Sequence, residues 1–214
     1  MIVEDNEEIQ KYISESFADS FEVLTAYNGE EGKQQALNRI PDIVVSDIMM
    51  PVMDGITLCR QLKEDVQTSH IPVILLTAKD SLQDKEEGYE VGADSYLTKP
   101  FSASLLRSRI NNLLESRKKL IAQFQTQSVP DNQADLKEKR IVIAEALSKL
   151  DNEFIEKITL LIEENLSSEK IDITYLSDKM CMSGSTLYRK MKALTGLSLS
   201  LIHISEPTRR TPIS

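Results

Sequence analysis

The most informative segment of the chain is Ile43-Val44-Val45-Ser46-Asp47, in which a β-branched apolar run ends in an acid. A second run of this kind, Val73-Ile74-Leu75-Leu76-Thr77, begins 30 residues later. Continuous apolar runs rich in branched residues are typical of strands that are buried on both faces. The two segments therefore predict the interior of a parallel sheet.

Shorter strand and helix patterns alternate on both sides of these two runs. We predict strands at 1–3, 22–26, 43–46, 73–77 and 95–98, and helices near 7–17, 29–38, 55–64, 85–91 and 102–114. Repeated alternation of this kind predicts an α/β fold, a doubly wound parallel sheet with helices on both faces. Ligands of such sheets bind beyond the carboxyl ends of the strands.

The rest of the chain has helical patterns alone. The helix that begins near 102 is predicted to extend to Phe124, and the polar segment 123–140 is predicted to be a linker. Apolar residues at helical spacing follow from Phe154 to Leu166, and two shorter helices are predicted at 173–180 and 183–194. The second half therefore predicts a small all-α segment.

Composition narrows the class of protein. The two cysteines lie 122 positions apart, which excludes a disulfide framework and a cysteine-based zinc site. The chain has no run of 18 apolar residues and no room for a signal peptide before Glu4, so we expect a cytoplasmic protein without membrane contact in this segment. The net charge of −9 divides into −10 for 1–117 and +1 for 118–214, so any DNA contact is expected near the C-terminus.

Polar side chains stand at the ends of the predicted strands. They are Glu4, Asp5, Asp47, Thr77 and Lys99. Because parallel strands end at one edge, these groups are expected to converge, and three carboxylates there would repel one another unless a cation such as Mg²⁺ neutralised them. A lysine and a hydroxyl suit phosphoryl oxygens, so the set predicts an aspartate that accepts a phosphoryl group. The alternative is that each acid only caps a strand or helix, with Asp5 as an N-cap.

Four motifs in the first 117 residues resemble those of the receiver domains of two-component response regulators. They are Val3-Glu4-Asp5-Asn6, Val45-Ser46-Asp47-Ile48-Met49-Met50-Pro51 with Met53-Asp54-Gly55, Leu76-Thr77-Ala78, and Lys99-Pro100-Phe101. The resemblance implies a flavodoxin-like sheet in the order 2-1-3-4-5. Only Met1, Ile2 and Val3 remain for its first strand, which is therefore expected to be truncated, with Met1 an internal residue of a longer chain.

The resemblance also implies a role for each pocket residue. Asp47 would be the phosphoacceptor, and Asp5, Asp47 and the backbone carbonyl of Met49 would ligate Mg²⁺, with Glu4 acting through water. Lys99 would bind the phosphoryl group and precede a cis peptide bond to Pro100. Thr77 and Tyr96 would form a switch pair in which the hydroxyl moves to the phosphoryl group and the ring follows. The alternative for Tyr96 is a plain core aromatic.

The segment from Leu176 to Gly196 is predicted to form a helix, a tight turn and a helix with Ser183 as N-cap. It resembles the first helix-turn-helix of AraC/XylS-type regulators, although Cys181 stands where the turn usually has glycine and Gly184 where a basic residue is common. The residues of its second helix expected to face outward and contact DNA are Ser185, Thr186, Tyr188, Arg189, Lys190 and Lys192.

These features predict four segments: a receiver domain (1–117), a helical extension and linker (118–149), a partial DNA-binding domain (150–198) and an artefactual tail (199–214) that resembles a translated sequencing adapter. The combination resembles the C-terminal part of hybrid two-component sensors, and the sequence leaves open whether the full-length chain is membrane-anchored upstream. With the second helix-turn-helix missing, DNA binding is expected to be impaired.

Three functions share features with this sequence. The first is a transcription regulator that accepts a phosphoryl group from a histidine kinase, is not itself an enzyme, and forms a homodimer through its receiver face. The second is a phosphorelay or protein-interaction module without DNA binding. The third, a hydrolase of the haloacid dehalogenase type, is set aside because it needs a second aspartate at the position of Met49.

Overall fold

The structure, a computed structural model, describes residues 1–78, 91–125, 147–165 and 172–196. Its strands are β1 (Ile2–Val3), β2 (Thr25–Ala26), β3 (Val44–Asp47), β4 (Val73–Thr77) and β5 (Ser95–Thr98). Its helices are α1 (Glu7–Phe17), α2 (Gly29–Arg39), α3 (Gly55–Glu64), α4 (Ala103–Gln125), α5 (Lys149–Asn165), α6 (Ile173–Met180) and α7 (Gly184–Thr195). The helix predicted at 85–91 falls almost wholly outside the described residues, as do most of the linker and the tail at 199–214.

The five strands form one parallel sheet in the order β2-β1-β3-β4-β5. The predicted doubly wound α/β fold and its strand order are therefore confirmed. The first strand is short and has only two residues. The edge strand β2 is three residues shorter than predicted, because the two-residue β1 offers it only two register partners.

Side chains along the two central strands alternate between two apolar layers. Val73 and Leu75 pack on one face against α2 and α3, whereas Ile74 and Leu76 pack on the other face against α1 and α4. Successive side chains of a strand point to opposite faces, so an unbroken apolar run must be covered on both sides. The covered sheet holds the strand ends in fixed positions along one edge.

Helices α5, α6 and α7 share a separate apolar core around Phe154, Leu176 and Leu187. Ser183 caps the start of α7 by accepting a hydrogen bond from the backbone N–H of Thr186, and Gly196 ends the helix at a φ of 68°. Cys181, in the turn between α6 and α7, has a φ of 55°, a conformation that favours glycine. The helix, tight turn and helix predicted for this segment are therefore observed, with a strained residue in the turn.

Candidate functional site

Three carboxylates meet at the carboxyl edge of the sheet, the edge at which its strands end. Glu4 and Asp5 follow β1, and Asp47 is the last residue of the neighbouring strand β3. One oxygen of each carboxylate lies within 4.8 Å of the others, with Glu4 and Asp47 buried and Asp5 exposed. The parallel pairing of β1 with β3 is what brings residues so distant in sequence together.

Lys99, directly after β5, lies against the same carboxylates. Its Nζ is 2.8 Å from Oε2 of Glu4 and 3.0 Å from Oδ2 of Asp47. Its backbone N–H donates to the carbonyl oxygen of Thr77 at 2.7 Å, and the peptide bond to Pro100 is cis, as expected from the sequence. One lysine therefore joins the ends of β1, β3, β4 and β5.

The electrostatics of this cluster are unbalanced. Burial raises the pKa of Glu4 and of Asp47 above their usual values, and the hydrogen bonds from Lys99 offset this only in part. Burial acts to lower the pKa of Lys99, but the two carboxylates outweigh it and raise that pKa. Each remaining negative charge repels the next. The arrangement consequently has an excess of negative charge that a further cation would reduce.

The segment after β3 fixes the orientation of Asp47. The backbone N–H of Ile48 donates to Oδ1 of Asp47 at 2.9 Å, which leaves Oδ2 on the side of Lys99. The N–H of Gly55 donates to the carbonyl oxygen of Ile48, and a Cβ at Gly55 would lie 2.0 Å from the carbonyl oxygen of Asp47. Only glycine fits there. The loop is thus held close enough to orient the carboxylate.

The other predicted pocket residues are placed as follows. Thr77 is buried one position beyond Leu76, the register partner of Asp47, and its Oγ1 donates to the carbonyl oxygen of Ala78 at 3.2 Å. Tyr96, in β5, is half-buried and packs against the core cluster that includes Leu75, its register partner. Met49 lies two residues after Asp47, with its side chain 69% exposed. The assigned roles of these residues stay predictions.

Two polar residues near the acids contribute in ways that the sequence analysis did not identify. Asn6, not Asp5, caps α1, because its side chain accepts from the N–H groups of Glu8 and Ile9. Gln10 is buried, and its Nε2 donates to the carbonyl oxygens of Glu4 and Ala26, at 3.0 Å each. Gln10 precedes Ile13 and Phe17 at helical spacing, so it stands on the apolar face of α1. A polar residue at such a position was the sequence signal that could have indicated its burial.

The candidate DNA-contact residues of α7 do not all face outward. Ser185, Arg189 and Lys192 are exposed and Tyr188 is half-buried, but Thr186 and Lys190 are buried. Thr186 lies against the cap, with its Oγ1 2.8 Å from Oγ of Ser183. The expectation that Thr186 and Lys190 lie on an outward surface is therefore wrong.

Lys190 is 0% exposed because it is enclosed by polar partners. Its Nζ donates to Oδ1 of Asp151 at 2.6 Å, to Oγ of Ser69 at 2.9 Å and to the carbonyl oxygen of Val66. It also lies 4.9 Å from the centre of the Phe154 ring. A buried charge is tolerated when it is paired and hydrogen-bonded, which explains how a lysine occupies this position.

The sequence held a signal for this burial. Lys190 stands on the apolar stripe of α7, three residues after Leu187 and four before Leu194. Asp151 stands three residues before Phe154 on the stripe of α5. Charges of opposite sign on two apolar stripes that share one core are expected to pair.

Within the part of the chain that the structure describes, none of the helices is both long and apolar enough to cross a membrane.

The first half of this chain is similar to a known family of domains. Residues 1–111, just over half of the 214, match the family described as the response regulator receiver domain. A solved response regulator receiver domain protein from Clostridium thermocellum has a TM-score of 0.52 and 32% identity, and the match covers 56% of this chain and 95% of that one.

Two curated relatives are longer proteins. Histidine kinase P4 of Formosa agariphila is 36% identical over 198 residues, which are 92% of this chain and 14% of that protein. The alkaline phosphatase synthesis transcriptional regulatory protein PhoP of Bacillus subtilis is 40% identical over 115 residues, which are 53% of this chain and 47% of that protein. The chain thus spans less than half the length of either relative, and its match to the Formosa protein extends beyond residues 1–111.

Proposed function

Because the chain belongs to the response regulator receiver family, we propose that a histidine kinase phosphorylates it on Asp47 and that its phosphorylation state controls transcription through α6 and α7. One observation carries the first half of this proposal. Lys99 Nζ lies within 3.0 Å of both Glu4 and Asp47, and the carboxylate of Asp5 lies beside them. An oriented carboxylate with an adjacent ammonium group and further acids is the arrangement expected of a phosphoryl acceptor.

The same residues fit Mg²⁺, which receiver domains bind at an acidic pocket. The donors are carboxylate oxygens, which are the ligands a hard divalent cation prefers. Three carboxylates lie beside one ammonium group here, so Lys99 alone does not balance their charge. Asp5, Asp47 and the backbone carbonyl of Met49 would hold the ion, with Glu4 acting through water. When bound, Mg²⁺ would supply positive charge for the phosphoryl oxygens.

The transfer itself is a nucleophilic substitution at phosphorus. Oδ2 of Asp47, the oxygen that does not accept from Ile48, forms an O–P bond as the N–P bond of a phosphohistidine breaks, and the imidazole leaves. Lys99 pairs with the phosphoryl oxygens in place of part of its present contact with the carboxylates. The hydroxyl group of Thr77, at the end of the adjacent strand, donates a hydrogen bond to the same oxygens.

The added phosphoryl group would change the balance between two conformations. It brings charge and acceptor oxygens to the carboxyl edge, where Thr77 and Lys99 move to pair with them. Tyr96 turns into the space that Thr77 leaves. A ligand shifts such an equilibrium only by its differential affinity for the two states, so these contacts carry the signal. A homodimer formed through the receiver face is the proposed consequence.

Acetyl phosphate tests the acceptor chemistry without a partner kinase. With Mg²⁺ the full chain is expected to gain one phosphoryl group. With the metal chelated, the rate of this gain is expected to fall at least about a hundredfold, because about 2.7 kcal/mol of charge stabilisation would be lost. Intact-protein mass spectrometry measures the gain, and Ca²⁺ in place of Mg²⁺ controls for charge alone. Equal labelling with and without metal would contradict the magnesium site.

The proposed transcription role rests on α6, the turn and α7. Their helix–turn–helix geometry and the exposed Ser185, Arg189 and Lys192 support it. The match to the Formosa protein, which extends past the receiver region, indicates that these helices are a shared part of longer chains. The alternative, a phosphorelay module without DNA binding, is favoured by the burial of Lys190.

Lys192→Gln separates these two functions. Lys192 is exposed on α7, so its loss is expected to weaken binding to duplex DNA at about 50 mM salt and to reduce the salt dependence by about one counterion. Fluorescence anisotropy of a labelled duplex measures both quantities. Lys179→Gln on α6 is the matched control, with the same loss of charge at an exposed lysine. Equal binding by both variants, or none by the unaltered chain, would favour the phosphorelay module.

A further inference from the structure

We propose that the receiver half of the chain, residues 1–111, closes over α7 and withholds the basic side chains of α7 from nucleic acid, with Lys190, Asp151 and Ser69 as the latch. The consequence for nucleic acid rests on the proposed DNA-binding role of α7. The contact itself is a feature of the structure. It joins Ser69 in the loop between α3 and β4 to residues of α5 and α7.

The latch uses the whole hydrogen-bonding capacity of one ammonium group. Lys190 Nζ donates to Asp151, to Ser69 and to the carbonyl oxygen of Val66, and an ammonium group has three N–H donors. Ser69 Oγ also donates to Oδ1 of Asp151 at 2.7 Å. In this arrangement Lys190 has no donor left for a phosphate oxygen. Two of its three partners belong to the loop before β4, so the receiver half supplies most of the enclosure.

The preceding residue of α7 makes a second contact with the receiver half. Nη1 of Arg189 donates to the carbonyl oxygens of Asn38 and Arg39, at 3.1 and 3.0 Å. These carbonyls lie at the end of α2, where a helix carries partial negative charge and favours cations. Two consecutive basic residues of one helix are therefore engaged by the receiver half. Nucleic acid and the receiver would compete for the same side chains.

The contact lies at the end of the sheet opposite to the acids. Val66 and Ser69 come before β4 begins, and Asn38 and Arg39 come before β3 begins. Asp47 and Thr77 are the last residues of those two strands. We call the end where the strands begin the amino edge. The latch thus occupies the amino edge and leaves the phosphoacceptor pocket accessible to a phosphodonor while α7 is covered.

Ser69→Lys in the full chain tests the latch. Ser69 is 2% exposed, so a longer cationic side chain beside Lys190 is incompatible with the closed arrangement. Acylation of amines followed by mass spectrometry is expected to modify Lys190 slowly in the unaltered chain and readily in the variant. Affinity for a labelled non-specific duplex is expected to rise about tenfold, because apparent affinity follows the fraction of open molecules. Ser104→Lys, at an exposed serine of α4, is the matched control and is expected to change neither.

A second, less disruptive substitution shows whether the effects of Ser69→Lys come from misfolding. Ser69→Ala removes the two hydrogen bonds of the hydroxyl without adding bulk, and it is expected to shift both measurements in the same direction by a smaller factor. Acetyl phosphate labelling shows that the receiver half of each variant is folded.

Three outcomes are distinguishable. Faster Lys190 acylation together with tighter duplex binding supports the inference. Faster acylation with no duplex binding by any chain overturns it as stated and removes the proposed DNA-binding function, although the two halves still close. Equal acylation in all chains, with duplex binding intact, overturns the latch and leaves the proposed function standing.

Discussion

Asp47→Asn is expected to abolish phosphoryl transfer to the chain. An amide oxygen is neither charged nor a competent nucleophile, so no acyl phosphate forms at this position. Oδ2 of Asp47, which faces Lys99 at 3.0 Å, is the atom that would attack, and Oδ1 is occupied by the N–H of Ile48. The expected effect is complete loss of the mass gain from acetyl phosphate, and complete loss of the spectral change that beryllofluoride with Mg²⁺ produces in the unaltered chain.

Asp54→Asn is the matched control for this result. Asp54 lies in the same loop and caps α3 by accepting from the N–H of Thr57 at 2.6 Å. Asparagine caps helices about as well as aspartate, so this variant is expected to fold and to be modified normally. Equal modification of the Asp47 and Asp54 variants would defeat the assignment of Asp47 as the acceptor.

The unfolding temperature of Asp47→Asn shows whether this variant loses only the acceptor group or also its folded structure. Burial raises the pKa of Asp47, so folding favours the protonated carboxyl over the carboxylate. Stability from this group is therefore present at low pH and is lost as the pH rises through the raised pKa. Neutral asparagine avoids that loss, and Asp47→Asn is expected to unfold at or above the temperature of the unaltered chain at pH 7.

Asp151→Asn is expected to destabilise the three-helix unit formed by α5, α6 and α7 by about 3–5 kcal/mol, because removal of one partner leaves a buried charge without compensation. Asp151 is 3% exposed and Lys190 is 0% exposed, so water does not replace the lost carboxylate. Burial lowers the pKa of Lys190, and without Asp151 little opposes that effect. Urea denaturation followed by far-ultraviolet circular dichroism measures the change. Asp178→Asn, at an exposed acid of α6, is the control and is expected to have no effect.

A double variant identifies the cause. Asp151→Leu combined with Lys190→Met removes both charges, and it is expected to recover most of the stability that Asp151→Asn loses. Acidification gives an independent check. Burial acts to raise the pKa of Asp151, but the charge and hydrogen bond of Lys190 outweigh it and hold that pKa below its usual value. The stabilisation is therefore present above the ordinary aspartate pKa of about 3.9 and is lost as the pH falls below it. A double variant as unstable as the single one would show that shape, not charge, is what Asp151 provides.

The central sheet and its pocket could be predicted because both depend on local pattern and on one rule of geometry. The runs that end at Asp47 and Thr77 are long, branched and uninterrupted, which indicates strands covered on both faces. Parallel strands end on the same edge, so acids and a lysine that follow them must come close. The observed contact of Lys99 with Glu4 and Asp47 confirms that convergence.

Details that depend on partners distant in sequence could not be predicted with the same success. The length of β2 is set by how many residues β1 offers for pairing, which the pattern of β2 itself does not contain. The capping of α1 by Asn6 and not Asp5 is a shift of one residue, within the usual uncertainty of helix boundaries. The first difference is set by a tertiary contact, whereas the second is set by local hydrogen bonds from the N–H groups of Glu8 and Ile9.

Lys190 illustrates the same limit at the candidate DNA-binding helix. A lysine is assumed to be exposed because burying a charge is costly unless it is paired. Its partners here are Asp151, 39 residues earlier, and Ser69, 121 residues earlier. The positions of Lys190 and Asp151 on apolar stripes of α7 and α5 were visible in the sequence, but no sequence pattern indicates the contact with Ser69.

The opposite positions of the acids and the latch on one sheet make their energetic independence measurable. Asp47 ends β3 and Ser69 precedes β4, and among the described residues the two share no hydrogen-bond partner. Substitutions at separated sites without common partners normally add to within about 0.5 kcal/mol. Any larger departure from additivity in the free energy of unfolding of the double variant Asp47→Asn/Ser69→Lys would therefore measure a coupling free energy between the two ends of the sheet.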